Sequence, residues 1–176
     1  MNKEVIKIGN CSGYYGDKLS AAKDMVDGGP LDVLTGDYLA ELTMAILFNQ
    51  KVQRGEDKGY VGTFLKQVKS IAKTCKDKNI KIVTNAGGLN PSSMANEIEK
   101  ILEDLEISLK VAYISGDDLM PRIDDLKKDG ETFLNIDKDM AIEESGCQIQ
   151  GRNGPAHLPG RRPPLLGSPG HRQNAG

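Results

Sequence analysis

The strongest constraint on the fold of this chain is an alternation of two hydrophobic periods along its first 145 residues. Four short apolar stretches, residues 5–8 (VIKI), 31–34 (LDVL), 80–83 (IKIV) and 109–114 (LKVAYI), have the length and branching expected of strands. Between them the apolar positions recur at helical spacing: Leu19, Ala22, Met25 and Val26; Leu39, Leu42, Ala45 and Ile46; Phe64, Leu65, Val68, Ile71, Ala72 and Cys75; Met94, Ile98, Ile101, Leu102 and Leu105. Gly28, Gly29 and Pro30 stop the first helix, residues 51–60 form an exposed polar loop, and residues 119–128 form a short last helix. Strands alternating with helices demand parallel pairing and right-handed crossovers, with helices on both faces of the sheet. The expected fold is α/β: an open Rossmann-like three-layer parallel sheet.

The last 30 residues break the pattern. Gly and Pro make up 11 of them, and they carry a net charge of +4 against −6 for residues 1–146. Residues 1–146 are therefore expected to be the folded part, and residues 147–176 a disordered tail.

Composition narrows the class. A hydrophobic fraction of 38% and a charged fraction of 27% are those of a soluble globular protein. No apolar run approaches the roughly 20 residues needed to span a bilayer, and the N-terminus has no secretory layout. The expected location is cytoplasmic, with no membrane partner. A net charge of −2 offers nucleic acid no electrostatic attraction. Cys11, Cys75 and Cys147 lack CxxC spacing, and both histidines, His157 and His171, lie in the tail, so no metal site is expected.

Ligands of open parallel sheets bind beyond the carboxyl ends of the strands. Each expected strand here is followed by a loop rich in Gly, Asn and Asp. The first offers Asn10, Ser12, Gly13, Gly16 and Asp17; the second Thr35, Gly36 and Asp37; the third Asn85, Gly87, Gly88 and Asn90; the fourth Gly116, Asp117 and Asp118. Glycine lets backbone approach a ligand, and Asn and Asp supply directed donors and acceptors. The alternative reading of any single loop is ordinary: Asp17 and Asp37 as helix caps, Asn90 with Pro91 as a helix entry. Four such loops at one sheet edge favour a shared small-molecule site.

The first loop spaces its glycines G-x3-G-x2-G, neither a dinucleotide fingerprint nor a Walker loop, so no cofactor is assigned. Cys11 is read either as a thiolate near a helix N-terminus or as a small packing residue, with no histidine nearby in sequence to serve as its base. Asp117 and Asp118 could bind a metal, work in acid–base chemistry, accept from a ribose or cap a helix. Tyr14 and Tyr15 could line a pocket or sit half-buried in the loop. Lys66, Lys69, Lys73 and Lys76 form a solvated helix face.

Taken together, IGNCSGYYGDKLSAAKDMVDGGPLDVLTGDYLAELTMAIL, IKIVTNAGGLNP and LKVAYISGDDLMPRI resemble the N-terminal region of the acyclic terpene utilisation (AtuA-like) family. The resemblance implies that the loop residues named above, with Glu41 and Pro91, are the family's signature positions. It further implies a role in terpenoid catabolism through acyl-CoA intermediates, with acyl-CoA as ligand and an acyl-CoA carboxylase-type protein as partner. The alternatives are a non-catalytic scaffold module of such a carboxylase system and an inactive fragment. The resemblance fades after about residue 145, so the sheet is expected to be incomplete and the chain truncated, with self-association as one consequence.

Overall fold

The computed structural model describes residues 5–135 and 140–141. The expected tail, residues 147–176, lies outside them.

Three short strands, β1 (Ile8–Asn10), β2 (Val33–Gly36) and β3 (Lys81–Thr84), pair in parallel in the order β1-β2-β3. Ile8 lies opposite Val33, and Val33 opposite Lys81, so the strand ends form a common rim. Each strand starts one to three residues later than its apolar run suggests. Pairing continues through Asn10, Gly36 and Thr84, so the sheet ends on the loop residues themselves.

The connecting helices are α1 (Ala21–Gly28), α2 (Glu41–Arg54), α3 (Gly62–Lys78) and α4 (Pro91–Asp104). Helix α2 runs four residues into the expected 51–60 loop and stops at Gly55, whose N–H reaches back to the Lys51 carbonyl. Helix α3 packs against both α1 and α4. Its stripe divides between two core clusters. Phe64 and Val68 join Tyr38, Leu47, Val61, Ala86 and Met94, whereas Ile71 and Cys75 join Cys11, Ala22, Val26, Leu34 and Ile80. Burying each large apolar side chain contributes about 1.5–3 kcal/mol, so this one helix anchors much of the fold. Asn79 ends it in the left-handed conformation, a position that Asn tolerates well.

Alternation along the strands gives the sheet two unlike faces. Gly9, Leu34 and Gly36 are buried against the helical layer. Ile8, Asn10, Lys81 and Val83 point the other way and are exposed, with Val33 and Thr35 half-buried among them. The open parallel Rossmann-like sheet is thus present but incomplete. Among the described residues its helices gather on one face, where a parallel sheet usually has both covered.

One expected element is absent. Residues 109–114 make no ladder and are not a strand. With β3 they line a cleft of about 680 Å³, which Val68 and Ala72 from α3 and Met94 and Ile98 from α4 also line. A strand needs a neighbour about 4.8 Å away to bond to, and no described strand pairs with residues 109–114. A short 3-10 turn (Met120–Arg122), α5 (Ile123–Lys128) and a small antiparallel pair, β4 (Leu134–Asn135) with β5 (Met140–Ala141), complete the described chain.

Candidate functional site

Where the three strands end, their loops are bonded to one another. The Cys11 N–H donates to the Thr35 carbonyl at 2.9 Å, and the Asp37 N–H to the Ser12 carbonyl at 3.0 Å, joining the first loop to the second. Thr35 Oγ1 reinforces that join, lying 3.2 Å from Asn10 Oδ1 and 3.3 Å from the Gly9 carbonyl. Second and third loops are tied by Asn85. Its Oδ1 accepts the Tyr38 N–H at 2.8 Å, and its Nδ2 donates to Asp37 Oδ1 at 2.7 Å. Thr84 Oγ1 donates to the Gly36 carbonyl at 2.9 Å on the same seam.

The outcome is a polar row, Asn10–Thr35–Asp37–Asn85, crossing the carboxyl ends of all three strands. Asn10, Asp37 and Asn85 are exposed and Thr35 half-buried. Asn10 Nδ2 donates one hydrogen to the Ser12 carbonyl and Asn85 Nδ2 one to Asp37. An amide nitrogen carries two hydrogens, so each keeps one for a ligand, and the Asp37 carboxylate keeps spare acceptor capacity. On the same open face Val83 lies level with Thr35, and Ile8, Val33 and Lys81 lie one step below. Polar donors and acceptors thus border a partly apolar surface.

The other sequence candidates are placed differently. Asp17 caps no helix; α1 begins four residues later, and the Asp17 carboxylate instead accepts the N–H groups of Gly13 (3.0 Å) and Lys18 (2.7 Å). Those bonds hold its pKa below the usual carboxylate value. They close the first loop through Gly13 and Gly16. Asp37 is no cap either, since Ala40 occupies the N-cap of α2. Asn90 does what the ordinary reading expects. Its Oδ1 accepts the Ser93 N–H, Pro91 follows it into α4, and its Nδ2 holds the Glu56 and Lys58 carbonyls, facing away from the row.

Gly87 and Gly88 pack behind the row. A Cβ on Gly88 would lie 2.5 Å from Leu47 Cδ1 and 2.8 Å from the Gly59 carbonyl oxygen, and its φ is +53°, so close approach and backbone conformation both select glycine. From the fourth loop, Asp117 borders the cleft that Asn85 and Gly87 also line. Asp118 accepts the Met120 N–H at 2.9 Å and starts the 3-10 turn, and Gly116 is exposed. The structure therefore bonds the first three loops together and leaves the fourth unbonded to them.

Cys11 and Tyr38 settle a question about reactivity. Cys11 is 5% exposed, with its Sγ 3.9 Å from Tyr38 Oη. Burial pushes the Cys11 thiol pKa up, the wrong direction for a nucleophile, so Cys11 is a packing residue. Burial raises the Tyr38 phenol pKa also, and its hydroxyl donates to Gln67 Oε1. Sequence reasoning missed Tyr38 and Gln67. The available signal was Gln67, a polar residue on the otherwise apolar stripe of α3. Tyr15 is half-buried and meets Gln50, while Tyr14 is exposed.

Among the described residues no group of three or more His, Cys, Asp or Glu is placed to hold a metal ion. No described helix is long and apolar enough to cross a membrane. Residues 6–153 match the family described as "Acyclic terpene utilisation family protein AtuA". No curated protein and no solved structure was found to match the chain.

Proposed function

Since the chain belongs to the acyclic terpene utilisation family AtuA, we propose that it binds an acyl-CoA-type intermediate of terpenoid catabolism at the row Asn10–Thr35–Asp37–Asn85. The observation that carries this reading is the junction of that row with the open, partly apolar sheet face. Spare amide hydrogens and a carboxylate suit the amides and hydroxyls of a pantetheine arm. Ile8, Val33 and Val83 offer a surface for a branched hydrocarbon chain, and apolar burial supplies about 25 cal/mol per Å². The row is already held together by its own hydrogen bonds, Thr35 to Asn10 and Asn85 to Asp37 and Tyr38. Such preorganisation lowers the cost of binding.

The reading is of binding. Cys11 is shielded, and no histidine lies among the described residues to act as a base. A thermal-shift screen with CoA thioesters, nucleotides and organic acids tests it. CoA thioesters should raise the melting temperature saturably, and Asp37→Ala should abolish the shift. A cooperative melt unmoved by every CoA thioester overturns the reading and leaves a scaffold role.

A further inference from the structure

The cleft beside β3 combines two surfaces of different chemistry. Phe64, Val68, Met94 and Ile98 give it an apolar lining. Its volume of about 680 Å³ falls within the range of small-molecule sites, roughly 300–1,000 Å³. Strand β3 also lines it, and the outer edge of that strand is polar. The Lys81 N–H bonds to the Asp32 carbonyl, on the β2 side. Alternation along a parallel strand then turns the N–H and C=O groups of Ile82 and Thr84 to the opposite edge, where no described strand pairs with them.

These two surfaces narrow the occupant. A plain hydrocarbon would suit the lining but cover the main-chain groups of Ile82 and Thr84 without giving them partners, which is unfavourable. A small polar acid would bond to the edge and forfeit the apolar contacts. An extended chain that alternates amides with methylene segments meets both demands, as an added strand does at an open sheet edge. The cleft also joins the candidate site at a shared residue. Asn85 ends the polar row, follows Thr84 directly in sequence and lines the cleft as well. Resting on the row as an acyl-CoA site, we propose that the ligand's pantetheine arm continues from Asn85 along the outer edge of β3. The row takes the hydroxyl and the first amide of the arm. The second amide, nearer the sulfur, donates to and accepts from the main chain of Ile82 or Thr84. Its neighbouring methylenes rest on the apolar lining. The acyl chain is left beside Val83, which lines the cleft and lies on the open face of the sheet.

Amide exchange followed residue by residue by NMR on the full 176-residue chain tests this, with a branched medium-chain acyl-CoA as the probe. In the free protein the N–H groups of Ile82 and Thr84 should exchange about tenfold or more faster than those of Lys81 and Val83, which face β2. Saturation with the probe should slow Ile82 or Thr84 by about tenfold or more and leave Lys81 and Val83 nearly unchanged. A pantetheine thioester of the same acyl group, with an ester in place of the amide nearer the sulfur, should bind about tenfold more weakly than the unmodified pantetheine thioester. Calorimetric binding of the acyl-CoA without added protection, or equal affinity for amide and ester, overturns this placement of the arm and leaves the row as the binding site. Absence of any binding overturns the row as an acyl-CoA site and the placement with it. Ile82 and Thr84 as protected as Val83 in the free protein also overturn the placement, because the edge then has another partner.

Discussion

Asn85 uses both ends of its amide on the neighbouring loop, accepting the Tyr38 N–H at 2.8 Å and donating to Asp37 Oδ1 at 2.7 Å. A residue with one donor and one acceptor end is required there. Asn85→Asp keeps the acceptor and sets a second carboxylate against Asp37. It should destabilise the fold by about 1–3 kcal/mol near neutral pH. Two facing carboxylates raise one another's pKa, so part of the loss should return as pH falls below about 5. Urea unfolding at pH 7 and pH 5 checks this; an equal loss at both pH values would count against the bond.

Tyr38 and Gln67 form a buried polar pair on the other side of the same loop. Tyr38→Phe leaves Gln67 Oε1 without that donor and should cost about 1–3 kcal/mol. Adding Gln67→Leu should recover much of it, since removing both partners relieves the stranded acceptor. A double-mutant cycle by chemical denaturation measures the coupling. Additive losses would show that the pair is not energetically linked.

Gly88 and Gly116 both have positive φ, at +53° and +125°, yet only Gly88 is crowded. Gly88→Ala must displace Leu47 or the Gly59 backbone as well as accept the strained conformation, so it should cost more than the about 1–3 kcal/mol of strain alone. Gly116→Ala meets open space and should cost only the strain. Comparing melting temperatures of the two variants decides the order.

Burial pushes the Cys75 thiol pKa up to about 11. Its contribution to stability is therefore fully present below its unfolded pKa, about 8.5, and is lost as pH rises through the folded value. Cys75→Ala should have a lower starting stability and a shallower decline between pH 8.5 and 11. An unchanged slope would mean that the thiol does not govern alkaline unfolding.

Much of this architecture was legible in the sequence. The apolar stripes of α3 and α4 needed only their 3.6-residue period, and Asn90 with Pro91 marked the entry to α4; of the expected α1 stripe only Ala22 and Val26 are buried, and α2 buries Thr43 and Leu47 where Leu42 and Ile46 were expected to face the core. The three bonded loops were visible as Gly, Asn and Asp clusters after apolar runs. The roles within them were not, because a carboxylate near a helix start reads as a cap whether or not the helix begins within reach. Asp17 and Asp37 bind loops instead. Residues 109–114 show a different limit. Their pattern records a strand's preference, but a strand forms only where a neighbouring edge is available, and that depends on the whole sheet. Tyr38 was hidden because a long-range polar pair has no fixed spacing; only Gln67, a polar residue on the apolar stripe of α3, gave a local sign of it.

We propose that the polar row and the partly apolar face beside it bind one acyl-CoA-type ligand. Isothermal titration calorimetry with a branched medium-chain acyl-CoA, on wild type, Asn10→Ala and Val83→Lys, tests both halves together. The expected result is saturable one-site binding to wild type, weakened about tenfold or more by each substitution, with cooperative melting retained in both variants. No heat of binding to well-folded wild type, or equal affinity in all three proteins, would contradict it.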